Sequence, residues 1–335
     1  MKRFIKKLFL VIIVPLIIII GAVISWDPFK VFFNYPNGQM GDNRELECMQ
    51  LFDRQREHRS LNSFIIGSSR SLAFKVRDWK KYLDETGHKD VRAFHFDGNG
   101  LGLFRTKNIL KYIDENTDTI KNLLIIFDDK TFEEIANPPG PLFIEPPKLS
   151  GESPLQFYST FVAASLNPMF VLSGLDLYFT GKYKSYMKTY IRRTRYLPTT
   201  NFLTGDFDFG YDREIREDSL AYYRQRFQEN EFYTREPDIK EKGAKIGPVQ
   251  KDMLLQVKHI CDKNRTDIKI VICPLYNQIP INTADKKVLM QMFGSKNICD
   301  YSGKNRFTDS VSNYYESSHF RPPVARQIMK EIYQK

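Results

Sequence analysis

Residues 62–71 read NSFIIGSSRS, and they predict a strand followed by a tight turn. The apolar run Phe64–Ile66 is typical of a short buried strand. A glycine ends the run, small residues follow, and the next stretch, Leu72–Leu83, has the pattern of a helix. A serine on a strand-to-helix turn at the edge of a sheet is where an α/β enzyme presents a nucleophile. Ser68 and Ser69 are equally suited to shaping the turn or capping the helix, so this stretch alone leaves both interpretations open.

A second motif lies near the C-terminus, where residues 313–322 read NYYESSHFRP. Glu316 and His319 are three positions apart, and on one tight turn this spacing lets the carboxylate accept a hydrogen bond from the imidazole Nδ1–H. The carboxylate then fixes the tautomer and leaves Nε2 as a base. A lone histidine near a C-terminus is more often solvated or satisfied, but an acid-x-x-His motif combined with a Gly-x-Ser turn is a more specific pair.

The two motifs together resemble those of the SGNH (GDSL-like) hydrolase superfamily. In that superfamily the nucleophile is the third residue of a Gly-Asp-Ser turn, which corresponds to Ser69 here, with Ser68 in the position of the aspartate. The Asp-x-x-His of the superfamily corresponds to Glu316 and His319, with Glu in place of Asp. The resemblance therefore implies that Ser69, His319 and Glu316 act as a catalytic triad.

More closely, the chain looks like the membrane-anchored SGNH-like proteins that work beside membrane-bound O-acyltransferases in bacterial envelopes, as in alginate acetylation and teichoic-acid D-alanylation. The resemblance covers about residues 60–130 and 265–335, whereas residues 137–250 carry no matching motif. It implies a serine esterase or O-acyltransferase acting on acyl (acetyl) esters of cell-surface polysaccharide. It also implies a membrane-bound O-acyltransferase as a partner, and neither a metal nor a cofactor.

Glycines follow the second predicted strand, in the segment DGNGLG at residues 97–102. In the SGNH pattern this loop supplies backbone N–H groups to an oxyanion hole, so the resemblance assigns that part to Gly100 or Gly102, together with the N–H of Ser69. Asn99 in the same loop is a possible substrate contact. A turn that needs positive φ explains the glycines equally well, and the loose Gly-x-Gly pattern lacks the full dinucleotide fingerprint.

The third predicted strand ends in Asp128 and Asp129, where many SGNH enzymes carry an asparagine that donates to the oxyanion. Ionised carboxylates accept hydrogen bonds and do not donate them. Asp128 is therefore a possible substrate contact, and Arg70 either anchors a substrate carboxylate or pairs with Asp128. The missing asparagine keeps a second hypothesis open, in which the domain is an inactive glycan-binding or scaffolding partner of a membrane-bound O-acyltransferase.

The N-terminus predicts a membrane anchor. Four basic residues within the first seven precede the apolar run Leu8–Trp26, which is long enough to cross the ~30 Å hydrocarbon core as a helix. Residues Ala22–Trp26 match a signal-peptidase site poorly, so we favour an uncleaved anchor over a signal peptide. The basic residues place the N-terminus in the cytoplasm. We expect a single-pass protein of the bacterial cytoplasmic membrane, with its domain in the periplasm or at the cell exterior.

Strands that alternate with helices predict an α/β fold with a parallel sheet. The expected architecture is a three-layer αβα, SGNH- or flavodoxin-like domain with five parallel strands and a helical insertion, preceded by one transmembrane helix. The predicted strands are 64–66, 91–96, 123–127, 268–274 and 297–300. The predicted helices are 43–58, 72–83, 103–115, 155–190 (more than one helix), 246–264, 283–293 and 324–333. The predicted divisions are a basic tail at 1–7, the anchor at 8–26, a linker and helix at 27–58, and the SGNH-like domain at 59–335 with its insertion at about 137–250.

Two features of the insertion leave alternatives open. A basic, aromatic stripe follows its helices at residues 182–195, and it suits either an anionic glycan or phospholipid surface or simply a solvated helix face. The segment GDFDFG at 205–210 suits either a glycan groove or a surface turn. The basic stripe could also bind nucleic acid, but an exported domain rarely meets any, so none is expected as a partner.

The four cysteines form no Cys-x-x-Cys motif and no spacing with histidine that suggests zinc. Cys273 falls in an apolar strand and is expected in the core. An exported domain permits a disulfide, but the sequence does not demand one.

Overall fold

The structure is a computed structural model that describes residues 2–33, 35, 41–191, 195–237 and 239–334. Arg192 and Arg193 of the predicted basic stripe and part of the predicted 27–58 linker lie outside these residues. The strands, in chain order, are β1 (Ser63–Ser68), β2 (Ala93–Gly98), β3 (Asn122–Phe127), β4 (Thr199–Thr200), β5 (Phe207–Asp208), β6 (Asp267–Ile272), β7 (Ile298–Asp300), β8 (Tyr314–Glu316) and β9 (His319–Phe320).

The α-helices vary from a single turn to the long N-terminal helix. In chain order they are α1 (Lys2–Trp26), α2 (Arg44–His58), α3 (Val76–Glu85), α4 (Leu103–Asn116), α5 (Pro147–Ser150), α6 (Pro154–Ser165), α7 (Pro168–Thr180), α8 (Tyr211–Glu217), α9 (Ser219–Gln228), α10 (Pro248–Asn264), α11 (Thr283–Phe293), α12 (Arg306–Asp309) and α13 (Pro322–Tyr333).

The central sheet has five strands in the order β2-β1-β3-β6-β7, and all neighbouring pairs are parallel. The predicted α/β class and the five-stranded parallel sheet are thus confirmed. If the five strands of this sheet are numbered by their order along the chain, the order is 2-1-3-4-5, as in flavodoxin-like sheets. In such sheets the topological switch point lies between the first and third strands. The carboxyl ends of β1 and β3 therefore flank the crevice where ligands bind in such sheets.

Side chains of the strands alternate between two apolar cores. Phe64 and Ile66 belong to one core, which α2, α4, α10 and α11 cover, whereas Ile65 belongs to the other, which α3 and α13 cover. This period-2 alternation with fully buried strands is what a sheet sandwiched between helices requires. Cys273 lies in the second core, as the sequence predicts.

The predicted helix 72–83 is wrong at its start. The chain first forms a 3₁₀ turn, Ser69–Ala73, and α3 begins only at Val76. The Asp206 carboxylate accepts hydrogen bonds from the Val76 N–H at 3.1 and 3.2 Å, which caps the helix there. This cap comes from the insertion, so local sequence patterns do not show it.

Helix α1 is long and apolar enough between Lys7 and Trp26 to cross a membrane. The turn after it is ordered by the buried Asp27, whose carboxylate accepts hydrogen bonds from the Val31 N–H at 2.9 Å and the Tyr35 hydroxyl at 2.8 Å. Helix α2, predicted to join the anchor to the domain, packs its apolar side into the first core.

The insertion between β3 and β6 contains two consecutive apolar helices, α6 and α7, where the sequence predicts helix over 155–190. The 3₁₀ turn Ser185–Thr189 follows them, so the basic stripe is not one continuous helix face. The short antiparallel pair β4–β5 then lies beside β2, since the His95 N–H donates to the Thr204 carbonyl at 2.7 Å.

Candidate active site

Ser69, His319 and Glu316 form a continuous chain of hydrogen bonds. Ser69 directly follows β1, and its Oγ lies 2.8 Å from Nε2 of His319. The other ring nitrogen of His319, Nδ1, contacts Oε1 of Glu316. Strands β8 and β9 form the tight turn between Glu316 and His319, as the acid-x-x-His spacing predicts. The two motifs that the sequence singled out therefore meet beyond the carboxyl end of β1.

Glu316 is held as a carboxylate. Burial raises its pKa, but the hydrogen bond and charge of His319 and the N–H of Ser318, which donates to Oε2 at 2.6 Å, outweigh burial, and the pKa ends below its usual range. An ionised Glu316 accepts from Nδ1–H of His319. This leaves Nε2 as the nitrogen that accepts a proton from the Ser69 hydroxyl.

Arg70 fastens the serine turn to the histidine turn. Its Nη1 lies 2.6 Å from Oδ2 of Asp128, and its Nε donates to the Ser318 carbonyl at 3.2 Å. The Ser68 hydroxyl also donates to Oδ2 of Asp128, at 3.0 Å. The sequence left two roles open for Arg70, and in the structure Arg70 pairs with Asp128. Asp128 therefore contacts both Ser68 and Arg70.

The histidine turn is also braced from the insertion. Asp212, in α8, accepts a hydrogen bond from the Tyr315 hydroxyl at 2.6 Å and forms an ion pair with Arg321 at 2.8 Å. Tyr222, in α9, donates its hydroxyl to the Tyr315 carbonyl at 3.0 Å. The insertion therefore fixes the strand that presents Glu316.

A cavity of about 1140 Å³ opens beside Ser69. Its volume lies slightly above the ~300–1,000 Å³ typical of small-molecule sites. Phe209 lines this cavity, and its ring lies 5.5 Å from that of His319. The lining combines aromatic and polar side chains: Phe29, Asp42, Arg44, Ser69, Leu72, Asp97, Asn99, Pro141, Leu142, Phe143, Thr160, Ala164, Asn167, Phe170, Lys188, Thr189, Tyr190, Leu197, Pro198, Phe207 and Phe209, with Gly41 and Gly100.

The residues predicted in the glycine loop lie at different places. Gly100 lines the cavity with φ of +56°, a left-handed conformation that favours glycine. Gly102 precedes α4, and a Cβ there would collide with the side chain of Glu134. Asn99 lines the cavity, and its amide donates to the carbonyls of Asp42 at 2.8 Å and Leu142 at 3.2 Å. Their roles as oxyanion donors or substrate contacts stay predictions.

Sequence reasoning missed a second group of the same residue types. The Ser71 hydroxyl contacts Nε2 of His95 at 2.8 Å and donates to the Ser68 carbonyl at 2.8 Å, while Nδ1 of His95 lies 3.3 Å from Asp206. Ser71 and His95 are fully buried and do not line the cavity. This group ties the serine turn to the insertion and is not exposed to a substrate. No sequence signal pairs His95 with an aspartate 111 positions away.

Beside β1, where Asp97 pairs with Gly67 in the sheet, the wall of the cavity contains an ion pair that the sequence also did not reveal. Arg44, the first residue of α2, binds Asp97 through Nε at 3.0 Å, and its guanidinium lies 4.7 Å from the ring centroid of Phe207. Burial raises the pKa of Asp97, but the charge and hydrogen bond of Arg44 outweigh burial, and the pKa ends below its usual value. The segment at 205–210, predicted as groove or turn, thus contributes Phe207 and Phe209 to the cavity.

Within the described residues, no group of three or more histidine, cysteine or acidic side chains is arranged to hold a metal ion. No protein-family model matches the chain, and no curated protein matches it. The likeness to the SGNH superfamily therefore rests on the two motifs, on the parallel sheet and on the N-terminal apolar helix.

Proposed function

We propose that the protein is a membrane-anchored, extracytoplasmic serine acyltransferase or esterase, and that Ser69, His319 and Glu316 are its catalytic residues. One observation carries the proposal: the Ser69 hydroxyl, His319 and Glu316 are hydrogen-bonded in series. Such a series activates a hydroxyl that is otherwise a poor nucleophile. Its position beyond β1, at the switch point of the sheet, is where α/β enzymes bind their substrates.

In the first half-reaction, Nε2 of His319 removes the hydroxyl proton as Ser69 Oγ bonds to the acyl carbonyl carbon. The Glu316 carboxylate stabilises the resulting imidazolium. The tetrahedral oxyanion then collapses, the bond to the leaving alcohol breaks, and that alcohol takes the proton from His319. The products are an acyl ester on Ser69 and a free alcohol.

In the second half-reaction, an acceptor hydroxyl gives its proton to His319 as its oxygen bonds to the acyl carbon. The bond between that carbon and Ser69 Oγ then breaks, and Oγ takes the proton from His319, which restores the free serine. Water as acceptor makes the protein an esterase, and a sugar hydroxyl makes it an O-acyltransferase. We assign the oxyanion donors to the backbone N–H groups of Ser69 and of the loop with Gly100 and Gly102. Asp128 is not among them, since it already accepts from Ser68 and Arg70.

The cavity supports a substrate larger than a simple ester. Its lining places aromatic rings such as Phe207 and Phe209 beside polar groups such as Asn99 and Lys188. Aromatic faces with a few polar groups suit a sugar bearing an acyl group. We therefore propose acylated cell-surface polysaccharide as the substrate, with the domain in the periplasm or at the cell exterior of a bacterium and the N-terminus in the cytoplasm. A membrane-bound O-acyltransferase is the proposed partner.

One observation favours a second candidate, an inactive glycan-binding or scaffolding partner of such an acyltransferase. Asp128 stands where many SGNH enzymes have a donating asparagine, and it is committed to Arg70 and Ser68. The site then has only backbone donors for an oxyanion.

The test uses full-length protein in detergent micelles and p-nitrophenyl acetate. We expect release of p-nitrophenol and a mass increase of one acetyl group on the Ser69 peptide, both abolished by Ser69→Ala. Added oligosaccharide then distinguishes the reactions, because a transferase moves the acetyl group to the sugar and an esterase to water. Glycan binding with no acetyl-Ser69 in folded protein would support the inactive candidate instead.

A further inference from the structure

Helices α6 and α7 form an apolar surface that the fold does not cover. Residues 154–180 contain a single charged residue, Asp176, and it pairs with Lys184 at 2.7 Å. Helix α6 buries Phe157 and Phe161, but α7 buries little besides Ser173. The exposed apolar side chains are Leu155, Tyr158, Leu166, Met169, Leu172, Leu175, Tyr178 and Phe179. A soluble monomer rarely exposes so large a contiguous apolar patch.

Together the two helices are also long and apolar enough to form one membrane segment. They are joined at a break of a few residues and bent by 50°, which is the geometry of a broken or re-entrant span. Non-helical backbone at membrane depth needs its polar groups satisfied. At this break the Asn167 side chain accepts from the N–H groups of Met169 and Phe170 and so caps α7.

The position of α6 and α7 is tied to the end of the anchor. Trp26, the last residue of α1, contacts Phe170 of α7 with ring centroids 6.0 Å apart. Phe29 lies between the helices, 5.7 Å from Phe161 and 5.4 Å from Phe170. Three residues span at most ~10 Å of chain, so Phe29, which contacts both α6 and α7, lies within about 10 Å of the end of α1.

We propose that α6 and α7 form a second membrane element that embeds its apolar surface in the outer interface of the bilayer. Continuity with α1 favours lipid over a soluble partner, because the same anchor that crosses the bilayer holds these helices at its surface. Exposed Lys182 follows α7 directly, and a lysine at this position favours anionic headgroups.

This placement has a consequence that rests on the proposed function. The cavity that contains Ser69 is also lined by Phe29, which follows α1, and by Thr160, Ala164 and Phe170 of α6 and α7. If α6 and α7 are embedded as proposed, the part of the cavity that these residues line lies at the level of the lipid headgroups. The substrate class is then an acyl ester presented at the membrane surface, whose acyl chain enters the cavity from the lipid side.

Docking is tested without reference to catalysis. The single variants Leu172→Cys, Leu175→Cys and Phe179→Cys of the full-length protein are labelled with a fluorophore and reconstituted in vesicles of phosphatidylcholine and phosphatidylglycerol. The control is Arg77→Cys in α3, on the opposite face of the sheet, where the side chain is 92% exposed. Wild-type protein is treated with the same fluorophore, and its fluorescence, which comes from the native cysteines, is subtracted from that of each variant.

We expect lipids bearing a doxyl group to quench the three α7 probes, and iodide in the water to quench the control probe. Equal iodide quenching at all four positions would overturn the proposal. Energy transfer between α7 probes that rises with protein density, without doxyl quenching, would also overturn it, since a second copy would then cover the surface.

The substrate consequence is tested with two esters. The double variant Leu172→Asp/Leu175→Asp should cleave vesicle-borne p-nitrophenyl palmitate more slowly than wild type, and p-nitrophenyl acetate at the same rate. Equal rates on both esters would overturn the substrate class. If wild type cleaves neither ester, the proposed function fails, while the quenching result still decides the docking of α6 and α7.

Discussion

Arg70, the residue after the candidate nucleophile, donates its Nε–H to the carbonyl of Ser318, the residue before the candidate base, at 3.2 Å. One side chain thus holds together two turns that are 248 positions apart along the chain. The Arg70 guanidinium also forms an ion pair with the buried carboxylate of Asp128. We therefore expect Arg70 to align Ser69 with His319.

Arg70→Ala should therefore affect both stability and reaction. It leaves the Asp128 carboxylate buried without its partner, which costs about 3 kcal/mol. It also frees the histidine turn, so we expect slower acetylation of Ser69 in the protein that remains folded. Thermal unfolding and acetyl-Ser69 formation measure the two effects.

Arg70→Ala/Asp128→Ala is the matched control for the charge, because alanine removes the carboxylate without adding a hydrogen-bond donor. Removing the carboxylate should restore part of the stability but not the rate, because the contact with Ser318 is still missing. Recovery of the full rate would contradict a positioning role for Arg70.

Glu316→Gln should slow acylation of Ser69 by about a thousandfold or more, because an amide cannot stabilise the imidazolium as a carboxylate does. Substrate binding should change little, so the loss is expected in kcat and not in KM. Stopped-flow release of p-nitrophenol measures it. A variant that reacts at the wild-type rate would show that His319 does not depend on Glu316.

Comparison of Glu316→Gln with wild type should also show that Glu316 makes stability depend on pH. The folded pKa of Glu316 lies below its ordinary value of 4.5, so its contribution is fully present above pH 4.5 and is lost as the pH falls through the folded pKa. Wild type should therefore lose more Tm than Glu316→Gln on acidification below pH 4.5. Parallel Tm curves over that window would refute the depressed pKa.

Glu145 should act in the opposite sense. Burial raises its pKa to about 9, and its Oε2 contacts the Asn108 amide at 2.7 Å. A raised pKa gives stability that is present below pH 4.5 and is lost as the pH rises towards 9, a loss of up to about 3 kcal/mol at pH 7. Glu145→Gln does not titrate, so its stability relative to wild type should increase from pH 5 to pH 8. Denaturant unfolding across this range measures it, and a constant difference would contradict the raised pKa.

The buried Ser71–His95–Asp206 group should not react. Ser71→Ala removes hydrogen bonds to His95 and to the Ser68 carbonyl, which should cost about 1–3 kcal/mol. Folded Ser71→Ala should still form acetyl-Ser69, and no acetyl group should appear on Ser71 in wild type. Mass spectrometry of both peptides decides this, and an acetylated Ser71 would reverse the assignment of roles.

Local patterns predicted what depends on local geometry. The strand at Phe64–Ile66 and the Glu316-x-x-His319 turn follow from short spacings, and the parallel sheet explains why Ser69 lies at its carboxyl edge. The start of α3 was missed because its cap, Asp206, is 130 positions away. The choice of partner for Arg70 depends on a side-chain conformation, which sequence spacing does not determine.

The insertion was the least predictable part. Its composition predicted helices, but nothing in the sequence indicated that Asp206 would reach His95 or that Asp212 would brace Tyr315. These contacts are long-range and polar, so they follow from the packed fold and not from hydrophobic periodicity. The apolar character of α6 and α7 was visible in the sequence, whereas their contact with Trp26 was not.

The most direct test of the central claim is covalent labelling of the full-length protein with a fluorophosphonate. The phosphorus bonds to an activated serine, so wild type and the control Ser318→Ala, whose side chain is exposed, should both carry one adduct on Ser69. Ser69→Ala and His319→Ala should carry none. Folded wild-type protein that stays unlabelled, or labelling that persists in His319→Ala, would contradict a catalytic Ser69–His319–Glu316 site.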